Sequence, residues 1–224
     1  MLSAIQSARS EDGGLLSRRG AAATLPLVGL ILLAGNTIGA ALAVLWIFFW
    51  RIDLRDVGFV RPRSWWRSMT FGVLAGVALK LLMKAVVMPL LGAPAANPAY
   101  HNLTGNRAAL PGMLLLVVVG GGFGEELMWR GLLFHHLRLI AGTTARAQVG
   151  IVALTSLLFG LAHYYDQGFA GAEQSIITGL AFGSVFAMTR SIWAIMAAHA
   201  SYDVVAVALI FSGREAELAH TLFR

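Results

Sequence analysis

Two adjacent glutamates, Glu125 and Glu126, lie inside an apolar stretch. A charged side chain in a hydrocarbon layer costs about 2.5–3.5 kcal/mol on insertion scales, so a carboxylate kept there indicates a paired or functional group. Arg130 follows Glu126 by four residues, which on a helix places both on one face and allows the arginine to neutralise this glutamate. Glu125 points about 100° away around the same helix. Because it has no such partner, Glu125 is the candidate for chemistry.

Three further ionisable residues interrupt apolar segments: His163, His199 and Asp203. His199 and Asp203 are four residues apart and share a helix face, as do Phe159 and His163. A bilayer interior forces such groups inward, where one hydrated cavity can hold them together. One carboxylate, two imidazoles and a second carboxylate suit the activation of water, since they supply a general base and groups that stabilise an oxyanion or bind a metal.

Each of these residues also has a purely structural interpretation. A single histidine in an apolar span is more often a packed, hydrogen-bonded residue than a catalytic one, and His199 with Asp203 can form an interhelical pair. The glycines at 120–124 lack the Lys-Ser or Lys-Thr of a phosphate loop, so they predict close helix packing or local unwinding. The remaining histidines are expected in loops or near span ends, in contact with solvent: His101, His135, His136 and His220.

The composition is that of an integral membrane protein. The chain has 224 residues, 58% hydrophobic and 12% charged, against about 25% charged in soluble domains. Its apolar runs of about 20 residues suit helical spans and lack the alternation of a barrel. The net charge of +6 comes from arginines beside the spans, which indicates topology and anionic headgroups rather than nucleic acid. The absence of cysteine excludes disulfides and thiolate chemistry.

We predict an all-α, polytopic transmembrane bundle of about six or more spans, formed by residues 21–211 as one domain. Residues 1–20 and 212–224 are polar tails. Lys80 and Lys84, inside the second span, must face the bundle or a wet cavity. The predicted spans cover residues 21–50, 69–91, 110 to about 134, 149–164, 172–188 and 192–211.

The arginines at 51–67 predict a cytoplasmic loop, and residues 92–109 an extracytoplasmic one, which places the amino terminus outside. In this topology His163 and Glu125 lie at different depths in the membrane. His163 is about 25 Å from the start of its span, while Glu125 is near the cytoplasmic end of its own. The two meet only if the third helix extends toward Ile140 or the fourth starts below the membrane.

Two sequence signatures of known hydrolases are absent from the chain. The chain has no His-Glu-x-x-His and no Gly-x-Ser-x-Gly, which leaves a glutamate-centred site assembled from three helices. Three motifs resemble, in order and spacing, those of the CAAX-protease and bacteriocin-processing family of intramembrane endopeptidases, over about residues 51–211. They are Glu125-Glu126-x-x-x-Arg130, Phe159-x-x-x-His163 and His199-x-x-x-Asp203.

The resemblance implies a helical bundle in the cell membrane, in bacteria the inner membrane, that hydrolyses membrane-associated peptides or proteins. It implies Glu125 as the base, His163 as its partner, and His199 with Asp203 as the oxyanion pair, supported by Glu126, Arg130 and Phe159. Asparagine is also common at the position of Asp203. Since an ionised aspartate cannot donate to an oxyanion, Asp203 must orient His199, be protonated or bind a metal.

Three alternatives remain beside a protease that needs no cofactor. Glu125, His163, His199 and Asp203 could hold zinc, although only His199 has an evident acceptor nearby to orient its ring. A noncatalytic scaffold or immunity protein would bind a peptide without cutting it, which the intact motifs disfavour. A proton-coupled transporter could use the same residues as a relay, but the sequence has no evident inverted repeat.

Overall fold

The computed structural model describes residues 17–222, with only the backbone at Asn36, so the part of the predicted amino-terminal tail at residues 1–16 lies outside it. Within the described part every regular element is a helix, which confirms the all-α prediction. A 3-10 turn spans Pro98–Leu103. The helices are α1 (Arg18–Leu33), α2 (Asn36–Phe49), α3 (Trp65–Leu90), α4 (Leu110–Ala141), α5 (Ala145–Thr189), α6 (Trp193–Phe211) and α7 (Glu215–Ala219).

Four of the described helices, α3, α4, α5 and α6, are long and apolar enough to cross a membrane. α5 is interrupted at Gly168, whose φ of 65° turns the chain. A Cβ at Gly160 would lie 2.8 Å from the Ala172 carbonyl oxygen, and one at Gly179 would lie 3.0 Å from the Ser156 Cα. The two arms of α5 therefore run back along each other and contain the segments predicted at 149–164 and 172–188. The total of six or more spans stays a prediction.

The prediction of one tilted span over residues 21–50 is wrong, because a turn at Gly35 (φ 83°) divides it into α1 and α2. A Cβ at Gly39 would lie 2.5 Å from the Ile31 carbonyl oxygen, whereas eight residues of continuous helix cover about 12 Å. The two helices thus form a hairpin, and its arms of similar length bring Arg18 and Trp50 to one end. The sequence signal for this turn is short, since only Gly35 and the polar Asn36 and Thr37 interrupt a long apolar run.

The continuity of α4 explains how Glu125 and His163 can lie at the same depth in the membrane. The helix passes through Gly131 without a break and ends only at Gly142, where φ is 86°. The third span therefore extends past Ile140, the first of the two arrangements that allow Glu125 to meet His163. Wide π-helical turns at Leu116–Glu125 and Leu127–Leu133 flank Glu126, a distortion that is frequent at functional sites.

The same continuity contradicts the expectation that His135 and His136 contact solvent. Both lie inside α4, 7% and 2% exposed. His136 Nδ1 donates to the Leu132 carbonyl oxygen at 3.0 Å. The other two histidines of that group, His101 and His220, are exposed as expected.

Small residues bring α3 and α4 against α6. Gly72 and Gly76 of α3 lie on the backbone of α6 at Ala194 and Ala198, and a Cβ at Gly122 of α4 would be 2.9 Å from the Ala200 nitrogen. Such contacts let helix backbones approach closely, as expected for membrane bundles. They fix α6, which carries His199, between its two neighbours.

The arginine-rich segments gather at one end of the bundle. Arg190 Nη2 donates to the Asp56 carbonyl oxygen at 3.3 Å, and the Ile192 nitrogen donates to Gly58 at 2.9 Å. Burial, followed by the neighbouring Asp53 carboxylate, raises the pKa of Asp56. Gln167 Nε2 donates to the Tyr100 hydroxyl at 3.2 Å. This contact joins the 3-10 turn to α5 beside the interruption at Gly168.

Candidate active site

Glu125 is held by α4 where α5 and α6 approach it. The residue is 4% exposed, and its Oε2 atom has no hydrogen-bond partner within residues 17–222. Two imidazole nitrogens face this oxygen: Nε2 of His163 at 4.0 Å and Nε2 of His199 at 3.8 Å. These separations are too long for direct hydrogen bonds and suit a small group placed between the carboxylate and the rings.

His163 is oriented by its own helix. Its Nδ1 lies 2.8 Å from the Phe159 carbonyl oxygen. Because a carbonyl only accepts, Nδ1 carries the hydrogen, and Nε2 of the neutral ring is left as an acceptor that faces Glu125. The Phe159 ring packs 4.4 Å from the His163 ring and 4.8 Å from the Arg130 guanidinium carbon. The i, i+4 spacing predicted from sequence thus places Phe159 as the support of His163.

Glu126 holds two cationic or imidazole groups on one oxygen. Arg130 Nη1 donates to Oε1 at 2.8 Å, as the spacing predicted, and His199 Nδ1 donates to the same atom at 2.7 Å. Glu126 is fully buried. The sequence indicated Asp203 as the acceptor that orients His199, and the structure places Glu126 in that position. No local pattern could have revealed this contact, because it joins α4 to α6 across 73 positions of the chain.

Asp203 lies on the other side of the His199 ring. Its Oδ2 atom is 3.5 Å from His199 Nε2. A Cβ at Gly121 would lie 2.7 Å from that oxygen, so the glycine run leaves room for the carboxylate. His199 therefore has Glu126 at Nδ1 and both Glu125 and Asp203 near Nε2. Three carboxylates around one ring suit an imidazolium cation, which could donate Nε2–H into the site.

One cavity of about 470 Å³ between α3, α4, α5 and α6 is lined by Glu125, Phe159, His163, His199 and Asp203. Lys80 and Lys84 also line it, which confirms that they face the bundle interior. Tyr100, at the 3-10 turn, contributes its ring from outside the spans. Burial raises the pKa of Tyr100, with smaller contributions from nearby carboxylates, so its hydroxyl stays protonated at neutral pH. The cavity thus combines a carboxylate and imidazole cluster with hydrogen-bonding and apolar walls.

The zinc alternative finds no direct support in this arrangement. Within residues 17–222, no group of three or more His, Asp or Glu side chains has the spacing of a metal site. The four candidate ligands lie in the cavity. His163 Nδ1 donates to a carbonyl and His199 Nδ1 donates to Glu126. These two contacts orient the rings equally for a metal site and for a site without metal.

Comparison with known proteins returned one family. Residues 107–205 match the model of the family described as type II CAAX prenyl endopeptidase Rce1-like. The matched segment contains all three sequence motifs, from Glu125 to Asp203. Searches of curated proteins and of solved structures gave no significant match. This family match, the three motifs and their convergence on one cavity in a helical membrane bundle support the resemblance to the CAAX-protease and bacteriocin-processing family over residues 107–205.

Proposed function

We propose that this protein is an intramembrane endopeptidase in which Glu125 activates a water molecule to hydrolyse a peptide bond. The observation that carries the proposal is the geometry at Glu125 Oε2. This buried oxygen has no hydrogen-bond partner among the described residues, and the Nε2 atoms of His163 and His199 face it at 4.0 Å and 3.8 Å. A substrate water fits between Oε2 and His163 at ordinary hydrogen-bond distances of about 2.8 Å to each.

In the proposed reaction the water donates one hydrogen bond to Glu125 and one to His163 Nε2. Glu125 takes a proton as the water oxygen attacks the carbonyl carbon of the substrate. The oxyanion that forms accepts a hydrogen bond from His199 Nε2–H, while Glu126 keeps Nδ1–H in place. Collapse of this tetrahedral species breaks the carbon–nitrogen bond. The proton on Glu125 passes to the leaving nitrogen, so that a carboxylic acid and an amine are released and Glu125 is a carboxylate again.

Asp203 acts beside His199 in this scheme. As a carboxylate near Nε2, at 3.5 Å, it stabilises the imidazolium that donates to the oxyanion. Glu126 orients the ring from the opposite side. The proposal needs no metal or other cofactor.

The position of the cavity indicates which substrates can reach it. It lies between α3, α4, α5 and α6, the four described helices that are apolar enough to cross a bilayer. A substrate must therefore reach it from the lipid or from the membrane surface, as a membrane-associated peptide or protein. The excess of arginine over lysine and the abundance of alanine and glycine suggest a bacterial protein, and so the inner membrane as its location.

Comparison of membrane proteomes tests the activity before any substrate has been identified. Cells would produce the wild type, Glu125→Gln, or Glu217→Gln as a matched control, since the Glu217 side chain is 77% exposed and does not line the cavity. New protein termini in membranes are then labelled and identified. We expect termini that depend on Glu125 and persist in the control. The noncatalytic scaffold instead predicts identical termini in all three strains, which would contradict the proposal.

A further inference from the structure

We propose that residues 92–100 form a lid over the cavity and that the Glu215 carboxylate is the latch that holds this lid closed. The lid would control the entry of water and peptide, so the inference rests on the proposed function for its purpose. The movement itself can be measured without any turnover. The evidence for it lies in the loop between α3 and α4, which the hydrolytic mechanism does not use.

The loop at residues 91–109 covers one end of the cavity. Its part of the cavity wall includes Gly92, Asn97, Tyr100 and Leu103. Loops of more than about 12–15 residues are uncommon in compact domains and are often active-site lids or binding loops. A peptide that enters the cavity from this end must displace the loop.

The first part of this loop is weakly packed. None of the described residues 91–102 is buried. Leu103, by contrast, is 1% exposed and packs with Val207 and Ile210 of α6. Segments with few buried apolar contacts open at a low cost in free energy. Residues 92–100 can therefore move while Leu103 stays anchored.

Two backbone positions allow the lid to swing. Gly92 at its start has a φ of 73°, and no atom of the described residues lies within 4 Å of a Cβ placed there. Tyr100 at its end has a φ of −118° and a ψ of 17°, which interrupts the 3-10 turn. Hinges of lids are commonly a few loop residues that absorb changes in φ and ψ. The lid is thus bounded by a glycine in open space and by a break in the turn.

Glu215 of α7 holds the middle of the lid. Its Oε2 atom accepts from the Asn97 nitrogen at 3.2 Å, and its Oε1 atom forms an ion pair with Lys84 Nζ at 2.9 Å. The side chains of Lys84 and Glu215 are only 9% and 13% exposed, so salt screens this pair little. The carboxylate that Lys84 holds in place therefore fixes the lid through a charge-assisted hydrogen bond.

A second, uncharged contact holds the end of the lid. Gln167 Nε2 donates to the Tyr100 hydroxyl at 3.2 Å, next to the turn of α5 at Gly168. Opening of the lid breaks this contact and the one between Asn97 and Glu215. The ion pair of Glu215 with Lys84 can remain, because neither of its members belongs to the lid.

Alkylation of a cysteine inside the cavity tests the inference on the purified full-length protein in detergent. Ser175→Cys is a nearly isosteric change at a residue that lines the cavity and is 5% exposed, and the chain has no native cysteine. The probe is iodoacetamide, which is small and uncharged, and its rate of reaction follows the open fraction of the lid. Arg63→Cys, exposed in the arginine-rich segment, gives the rate of a free thiol. We expect Ser175→Cys to react at least tenfold more slowly.

Three further changes, each combined with Ser175→Cys, assign the effect to the latch. Glu215→Gln should accelerate alkylation about tenfold or more, because it removes a charged hydrogen bond. Tyr100→Phe should accelerate it about two- to tenfold, because it removes a neutral one. Glu173→Gln is the matched control, since Glu173 lines the same cavity and takes no part in the two contacts that hold the lid. It should leave the rate unchanged.

Alkylation of Ser175→Cys at the rate of Arg63→Cys would overturn the inference, as would a rate that neither Glu215→Gln nor Tyr100→Phe changes. An equal acceleration by Glu173→Gln would overturn it too, because charge alone would then explain the effect. Circular dichroism shows which variants are folded, and Tyr100→Phe, which strands no charge, decides the test if Glu215→Gln does not fold. Because alkylation needs no turnover, a protein without hydrolytic activity would contradict the proposed function and not the lid.

Discussion

Glu125 and Glu126 are adjacent and both buried, but they differ in their hydrogen bonds. Glu126 accepts hydrogen bonds from Arg130 and His199 on Oε1, and within the described residues its Oε2 is unpaired, as is Glu125 Oε2, which the two Nε2 atoms of His163 and His199 face instead. The sequence could predict the first half of this difference, because Arg130 is one helical turn from Glu126. It could not predict that His199 also binds Glu126, since that contact depends on how α4 and α6 pack.

The shared oxygen of Glu126 leads to a prediction about stability. Glu126→Gln should cost about 3–5 kcal/mol of the free energy of unfolding, since it strands the Arg130 charge in a buried site. Unfolding of the purified variant in detergent, followed by far-ultraviolet circular dichroism, measures this loss. Glu217→Gln is the control, because its partner Arg214 is 3.9 Å away and both side chains are exposed. Equal stability of the two variants would contradict a structural function for Glu126.

Metal removal gives a second prediction at the residue scale. Exhaustive chelation should leave both the fold and the hydrolytic activity of the purified protein unchanged, because in our account Glu125 is the base and Glu126 and Phe159 already hold the two imidazoles. Elemental analysis and an activity assay before and after chelation make the measurement. Stoichiometric zinc, with activity lost on its removal and restored on its return, would require Glu125, His163 and His199 as ligands instead.

At the scale of elements, α6 places His199 only because α3 and α4 approach it through glycines. Gly72 and Gly76 showed the spacing of close packing in the sequence, and the structure confirms their contact with α6. The continuity of α4 through Gly131 was open from sequence, since a glycine in an apolar run is compatible with a break or with a helix. Contact with Val57 accounts for a small residue here, because a Cβ at Gly131 would lie 3.2 Å from that carbonyl oxygen.

Gly76→Ala tests this packing. The added methyl would meet the Ala198 carbonyl and the Ser201 hydroxyl, so α6 must move and the variant should lose about 1–3 kcal/mol of stability. Hydrolysis should fall as well, because the next residue along α6 is His199. Gly150→Ala is the control, since nothing lies within 4 Å of a Cβ there. Both variants are compared by thermal unfolding and by turnover; an equal response would mean that Gly76 does not set the position of α6.

For the whole molecule, the hairpin of α1 and α2 changes the predicted topology. The sequence suggested one span over residues 21–50 and therefore an external amino terminus, despite its arginines. A hairpin returns the chain to the end where it began, so Arg18 and Arg19 join the arginine-rich segment at 51–67. This arrangement agrees better with the excess of positive charge on the cytoplasmic side. The sequence signal for the turn, Gly35 followed by the polar Asn36 and Thr37, is too short to lower the hydropathy of the whole run.

Cysteine labelling tests the arrangement cleanly, because the chain has no native cysteine. Single cysteines at the exposed positions Arg19, Arg63, Ala99 and Asp166 would be treated with a membrane-impermeant maleimide in intact cells. We expect labelling at positions 99 and 166 from outside, and at 19 and 63 only after permeabilisation. Labelling of 19 and 63 from opposite sides would contradict the hairpin, and external labelling of 63 would reverse the orientation.

The central claim is that Glu125 activates the attacking water, and turnover of an identified substrate in oxygen-18 water tests it most directly. The wild type should place one heavy oxygen in each new carboxyl group. Glu125→Gln should bind the substrate with similar affinity and cleave it about 10²–10⁴-fold more slowly, the usual contribution of a positioned general base. A correctly folded Glu125→Gln protein that cleaves at the wild-type rate would contradict the account.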